Sequence, residues 1–190
     1  MRQPNDFRKD EGGAAMVEMT IALTLLLTLT LGFVDFGYAF YQWNAANKAV
    51  QVGARTAAVS SPVSTSLASA ANTADSALAG TAMGSGSFPT YSCTGAGGCA
   101  RFSQANFDTI YNRMVPFFPR LQPANVRITY TATGLGYWGR PGGPVPTVTV
   151  SLEGLTFQFF FLSGLLGLNN ITMPSMLSTV TGEDLKSTWP

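Results

Sequence analysis

The sequence contains no histidine, only two cysteines, and charge on just 11% of its 190 residues. The first absence removes the usual general base at neutral pH. With it go every Ser-His-Asp or Cys-His arrangement and every zinc site that needs imidazole. Two cysteines cannot close a four-thiolate site either. The charge is too sparse and too balanced for a nucleic-acid surface: eleven Lys and Arg stand against ten Asp and Glu, and the bases from Arg101 to Lys186 are scattered singly. No phosphate loop, paired catalytic carboxylates or nucleophile with a base is recognisable. Past residue 59, the acids Asp75, Asp108 and Glu153 are isolated, and Glu183 with Asp184 reads as a solvated C-terminal end. No catalytic, cofactor-binding or metal-binding residue is assigned, no cofactor is expected, and an enzyme is disfavoured. Hydrophobic residues, by contrast, make up 46% of the chain, pointing to a membrane-associated or secreted protein. The length leaves room for one ordinary domain and an appendage.

The N-terminus carries the strongest pattern. Residues 1–13 are short and polar, with Arg2, Arg8 and Lys9 offset by Asp6, Asp10 and Glu11, and they end in Gly12 and Gly13. Met19 to Val34 is a Leu-rich run without a charge. Extended back to Ala14 it reaches about 21 residues, enough for a hydrocarbon core of about 30 Å. A secretory signal peptide is the competing reading, but its apolar region is shorter and leads to a small-x-small cleavage site. Here the run continues into the aromatic stretch Phe33 to Tyr41.

Glu18 interrupts this span, and positions 14, 15, 21 and 22 offer no basic partner. A carboxylate inside a membrane helix is costly, so a functional role is the default. The plainer reading is that it marks the helix start, where the helix dipole favours negative charge.

Gly13-Ala14-Ala15-Met16-Val17-Glu18, after a charged leader and before an unbroken apolar helix, is similar to the processing site of type IV prepilins. Further on come Gly32-Phe33-Val34-Asp35-Phe36-Gly37, Tyr41-Gln42-Trp43-Asn44-Ala45 and Ala49-Val50-Gln51-Val52-Gly53-Ala54-Arg55. With these, the stretch from Gly13 to Ala58 resembles the TadE-like family of minor pilins and pseudopilins of the tight-adherence (Flp, type IVc) pilus system. The resemblance implies that a prepilin peptidase cuts between Gly13 and Ala14 on the cytoplasmic side. Glu18 then becomes the fifth mature residue and serves assembly and register. It also implies as partners the major Flp-type pilin, other minor pilins, an inner-membrane assembly platform and membrane lipid, with no nucleic acid. The alternative is a membrane-anchored periplasmic ligand-binding module that enters no filament.

Periodicity carries the helix past the membrane. Phe33, Phe36, Phe40, Trp43, Asn47, Val50, Ala54 and Ala57 recur at spacings of three and four, a stripe for packing on the chain's own head or on another subunit. Asn44, Lys48, Gln51 and Arg55 form a separate polar row. A helix over 14–59 would be about 69 Å long, so half of it projects from a bilayer. Asp35, Gly37, Tyr38 and Tyr41 suit the interfacial zone. Basic residues favour neither orientation strongly, because Arg2, Arg8 and Lys9 are answered by Lys48 and Arg55. Cys93 and Cys99 bracket a glycine-rich loop that closes readily, so a disulfide is expected and with it a non-cytoplasmic compartment; a metal pair lacks further ligands.

Residues 60–90 turn to Ser, Ala, Thr and Gly and read as a linker, with a short helix over Ser66 to Leu78 whose face is Leu67, Ala71, Ala74 and Leu78. Phe107, Ile110, Tyr111 and Met114 predict a helix begun near Ser103 and stopped by Pro116. Val126, Ile128 and Tyr130 alternate with Arg127, Thr129 and Thr131, and Val148, Val150 and Leu152 with Thr149, Ser151 and Glu153; both predict strands. A third strand is expected across Met176 to Thr181. The Gly- and Pro-rich loop from Leu135 to Pro146 offers Tyr137, Trp138 and Arg140 as a candidate contact surface. Leu155 to Leu168 is apolar but too short to span a bilayer, and is expected to pack on the sheet.

The expected architecture is α+β. A leader (1–13) precedes a long N-terminal helix (14–59) that spans the membrane over about 14–34. A linker (60–90) then leads to a periplasmic or extracellular head (91–190) with an antiparallel sheet of about three strands and short helices.

Overall fold

The computed structural model describes residues 11–73, 75–167, 170–183 and 185. Ten of the thirteen expected leader residues, together with Ala74, Leu168 and Asp184, therefore lie outside the described residues. One helix, α1 (Glu11–Val59), runs without a break for 49 residues, about 74 Å, and begins three residues earlier than the sequence predicts. The chain divides into two compact units. A stem unit takes the described residues up to Tyr41 and Phe157–Ile171; a head unit takes Gln42–Thr156 and the described residues from Thr172 onward.

In the stem unit, Thr20, Thr24 and Thr28 each donate their hydroxyl to the carbonyl four residues back, at 2.8, 2.7 and 2.8 Å, and Thr30 donates to Leu27 O at 3.0 Å. The apolar span thus carries no unpaired hydroxyl, as a helix crossing hydrocarbon requires. Its large side chains, such as Leu25, Leu29 and Phe33, are exposed all round. A short helix, α3 (Phe161–Leu166), belongs to the same unit. This corrects one expectation. The apolar segment after Leu155 does not lie on the sheet but clusters, from Phe157 on, with the first part of α1.

In the head unit the elements are β1 (Tyr91–Thr94), α2 (Gln104–Met114), β2 (Val126–Thr131), β3 (Thr147–Leu152) and β6 (Met176–Thr181). Between β3 and β6, β4 (Thr156–Phe157) and β5 (Ile171–Thr172) pair around the segment that joins the stem unit. The main sheet has four strands in the order β1-β2-β3-β6, all antiparallel, one more than expected. Period-two patterning fixes its register: Ile128 opposes Val150 and Tyr130 opposes Val148, and all four are buried. Ser103 caps α2 by accepting from Asn106 N, and Phe107, Ile110 and Met114 are its buried face.

Residues 60–90 correct a second expectation. Val63, Leu67, Ala71, Met83 and Phe88 are core residues, so the segment is a strap on the head and not a linker. Polar contacts tie it down: Ser103 N donates to Val63 O at 2.8 Å, the Ser64 hydroxyl to Ala100 O at 2.6 Å, and the Asn106 amide to Pro62 O at 2.8 Å. Low hydrophobic content hid this, because a few well-placed apolar side chains suffice once hydrogen bonds hold the backbone. The helix expected over Ser66 to Leu78 shrinks to a 3-10 turn, Thr65–Ser69, and Leu78 is exposed.

Candidate functional site

The C-terminal half of α1 joins the head core through small residues. Ala46, Ala49, Val50, Gly53, Ala54, Ala57 and Ala58 are buried, and N-terminal to them Gln42, Asp35 and Gly32 are buried at spacings of four, seven and three. At Gly53 the close approach is literal: a Cβ there would lie 2.5 Å from Met114 Sδ on α2. Only the last turns of the expected stripe pack on the chain's own head. Val50, Ala54 and Ala57 are buried, Trp43 and Asn47 are half-buried, and Phe33, Phe36 and Phe40 are exposed. Large aromatic residues dominated the pattern, whereas close helix packing selects small ones. Asn44, Lys48, Gln51 and Arg55 are exposed, as the polar row requires.

Asp35 is the residue whose role the sequence did not disclose. It is 1% exposed and lies within the stem unit. Its carboxylate accepts from Phe160 N at 3.2 Å, Phe161 N at 3.0 Å and Leu162 N at 2.9 Å. These are N–H groups of the first turn of α3, which a helix leaves without partners and which the Phe160 side chain cannot satisfy. Asp35 thus caps α3 from about 125 residues away in sequence. Around it Phe36 meets Phe159 edge-on at 5.7 Å, and Tyr38 packs on Phe160 at 5.6 Å and Tyr41 at 6.4 Å. The one signal in the sequence was a lone acid at the end of an apolar run with no basic residue at helical spacing.

The Gly13–Ala14 bond lies in the first turns of α1, and both residues are exposed. Glu18 follows Ala14 by about 6 Å along the axis and is exposed on the helix. Among the described residues the one ion pair is Arg127–Glu153, on the open face of the sheet at 2.9 Å, so no cation sits against Glu18 there.

In the head, Cys93 and Cys99 are joined by a disulfide with Cα atoms 4.9 Å apart. Gly97 and Gly98 take φ of 99° and 91° in the loop it closes. The Tyr137 to Arg140 loop is held against the strap: Gly80 N donates to Trp138 O at 2.9 Å, and Trp138 N to Thr81 O at 3.0 Å. Tyr137 is exposed, Trp138 and Arg140 are half-buried, and the Arg140 guanidinium donates to the carbonyls of Gly143, Pro144 and Glu183. Its donors are engaged in holding the loop, which leaves Tyr137 as the open side chain of the three. Among the described residues no three metal-ligating side chains come together.

The head core centres on Tyr130, whose phenol oxygen accepts from Val63 N at 3.1 Å. Burial pushes this phenol up to about 12 from 10.0, and the Val63 N–H pulls slightly the other way.

Residues 13–55 match a family model described as TadE-like protein. The match lies wholly within α1 and includes Glu18, Asp35 and Gly53. No curated protein and no solved structure matches the chain.

Proposed function

We propose, with the TadE-like segment 13–55 as the premise, that this chain is a minor pilin or pilus-assembly component of a tight-adherence pilus. The observation that carries the reading is where the match falls. It covers a helix with one apolar stretch long enough to cross a membrane, whose hydroxyls are all bonded internally and whose only charge, between Gly12 and Val34, is Glu18. An apolar N-terminal helix of this kind supports membrane anchoring.

In this reading a prepilin peptidase removes residues 1–13, and the new α-amino group at Ala14 is positively charged at neutral pH. Glu18 of a neighbouring subunit then pairs with that amine, relieving an unpaired charge in an apolar layer. The disulfide supports a head on the periplasmic or extracellular side, and the apolar helix supports a membrane anchor, in this reading in the inner membrane. The major pilin, other minor pilins and the assembly platform are the partners, and the protein serves pilus biogenesis, adhesion and surface attachment. The ligand-binding alternative loses support from Arg140, whose guanidinium already donates to the carbonyls of Gly143, Pro144 and Glu183.

The test is N-terminal sequencing of membrane-extracted protein, joined to fractionation of sheared pili. A start at Ala14 is expected. Glu18→Ala should still insert in the membrane but be depleted from the pilus fraction, with Glu18→Asp between the two. A start at Met1 or beyond residue 35 refutes processing, and a Glu18→Ala chain that enters pili like the parent refutes the pairing.

A further inference from the structure

We propose that the segment from Phe159 to Gly167, led by α3, is a second membrane-embedded element: it re-enters the bilayer beside the latter half of the α1 span and contacts lipid acyl chains. The inference rests on the membrane anchoring of α1 proposed above, and every observation behind it lies within the stem unit.

Position comes first. Asp35 binds the start of α3, and a Cβ at Gly32 would lie 3.7 Å from Leu162. Leu162 and Leu166 then line one groove with Leu25, Thr28, Leu29 and Gly32. α3 therefore runs back along α1 from Asp35 past Gly32, toward the middle of the span. Whatever hydrocarbon surrounds Leu25 and Leu29 also surrounds Leu166.

Surface chemistry agrees with that depth. Phe160, Phe161, Leu165, Leu166 and Ile171 are all exposed, by 44% to 60%, and the stretch 157–171 contains no charged residue. This patch is continuous with the equally exposed apolar surface of α1 around Leu25 and Leu29. A surface this apolar is costly in water and costs nothing against acyl chains.

The backbone supplies an independent argument. Non-helical chain at membrane depth is tolerated only when its polar groups are paired within the protein. The Asp35 carboxylate takes the N–H groups of Phe160, Phe161 and Leu162, and at the other end Gly167, at φ 65°, donates its N–H to Ser163 O at 3.0 Å. The N-terminal end of α3 is thus closed without water, and at its C-terminal end the Ser163 carbonyl is paired as well.

The experiment uses the full chain reconstituted in phosphatidylcholine–phosphatidylglycerol vesicles. A nitroxide label is placed singly at Leu29→Cys, Leu165→Cys, Leu166→Cys or Leu177→Cys, and collisions are read with oxygen, which partitions into lipid, and with a water-soluble nickel chelate. Leu29 reports the α1 span and Leu177 an exposed position of β6 in the head. Labels at 165 and 166 are expected to behave as the label at 29, accessible to oxygen and lost to nickel. Nickel access at both, as at 177, with 29 still in lipid, overturns the re-entrant turn and leaves the anchor standing. Nickel access at 29 removes the anchor itself. Shielding of 165 and 166 from both reagents, relieved by diluting the protein in lipid, overturns the assignment in favour of a second copy of the chain.

Discussion

Removing the Asp35 carboxylate should release α3 locally while leaving the head folded. Three backbone N–H groups converge on this side chain at 2.9 to 3.2 Å, and it is 1% exposed. A hydrogen bond to a charged group is worth about 1.5–3 kcal/mol, but three bonds to one carboxylate do not add independently. Asp35→Ala leaves those N–H groups without their acceptor, at about 1–3 kcal/mol for each buried unsatisfied donor, and we take about 3–5 kcal/mol for the three together. At the lower end this is about a 100-fold rise in the population of the open segment. Hydrogen exchange of the full chain in detergent reads it directly, because the amides of Phe160, Phe161 and Leu162 should exchange about 100-fold faster in Asp35→Ala. Asp35→Asn keeps one acceptor oxygen but points an N–H₂ at backbone donors, so it should fall between. Amides of Ile128 and Val150, in the centre of the sheet, should not change. Unaltered exchange at residues 160–162 would refute the capping argument, and equal acceleration across the sheet would show that the segment is not a separate opening unit.

Gly53→Ala gains about 1 kcal/mol of helix propensity but drives a Cβ into Met114, fully buried on α2, at an overpacking cost of about 1–3 kcal/mol. Denaturant titration should show it destabilising in the parent and stabilising in a Met114→Ala background; the same sign in both would contradict the contact. The raised Tyr130 phenol makes stability depend on alkali. The folded value lies above the unfolded one, so its contribution is whole below pH 10 and is lost as pH rises from 10 to about 12. Two pH units correspond to about 3 kcal/mol, which a series of denaturation midpoints between pH 9 and 12 should reveal, and Tyr130→Phe should remove that slope while costing about 1–3 kcal/mol through the unpaired Val63 N–H. Cys93→Ser opens a loop of sequence separation 6, worth about 2 kcal/mol, and should lower the melting temperature of the head without unfolding it. Quantitative thiol labelling of the denatured, non-reduced parent would contradict the disulfide.

Strands β2 and β3 and helix α2 were legible because each repeats its apolar residues often enough to declare a period, and Ser103 announces the start of α2; β6 has no such alternation, its apolar residues being Met176, Leu177 and Val180. β1 was not legible. It is four residues long with Cys93 alone buried, too few positions for alternation to show. The strap of residues 60–90 escaped for the reason given by Val63 and Ser64: single apolar residues and backbone hydrogen bonds, not a pattern, place it in the core. The helix stripe was misplaced because large side chains outweigh Ala and Gly in any reading by hydrophobicity, while Gly53 faces α2 because it is small. Glu18 and the Gly13–Ala14 bond stand out in sequence through their neighbours along the chain. Asp35 could not, since its partners Phe160 to Leu162 are brought to it only by folding.

The threonines of the membrane span carry a consequence for how such a helix chooses company. Thr20, Thr24, Thr28 and Thr30 turn their hydroxyls inward to their own backbone, so none of those protons is offered sideways to another helix. Polar adhesion between helices in lipid ordinarily draws on such groups. Here the lateral surface is left with dispersion forces, which hold neighbours together but scarcely discriminate among them. Under the proposed pairing, discrimination along the span falls to Glu18, a single handle near one end, where a change of one residue in a neighbour's register would move its cation about 1.5 Å along the axis.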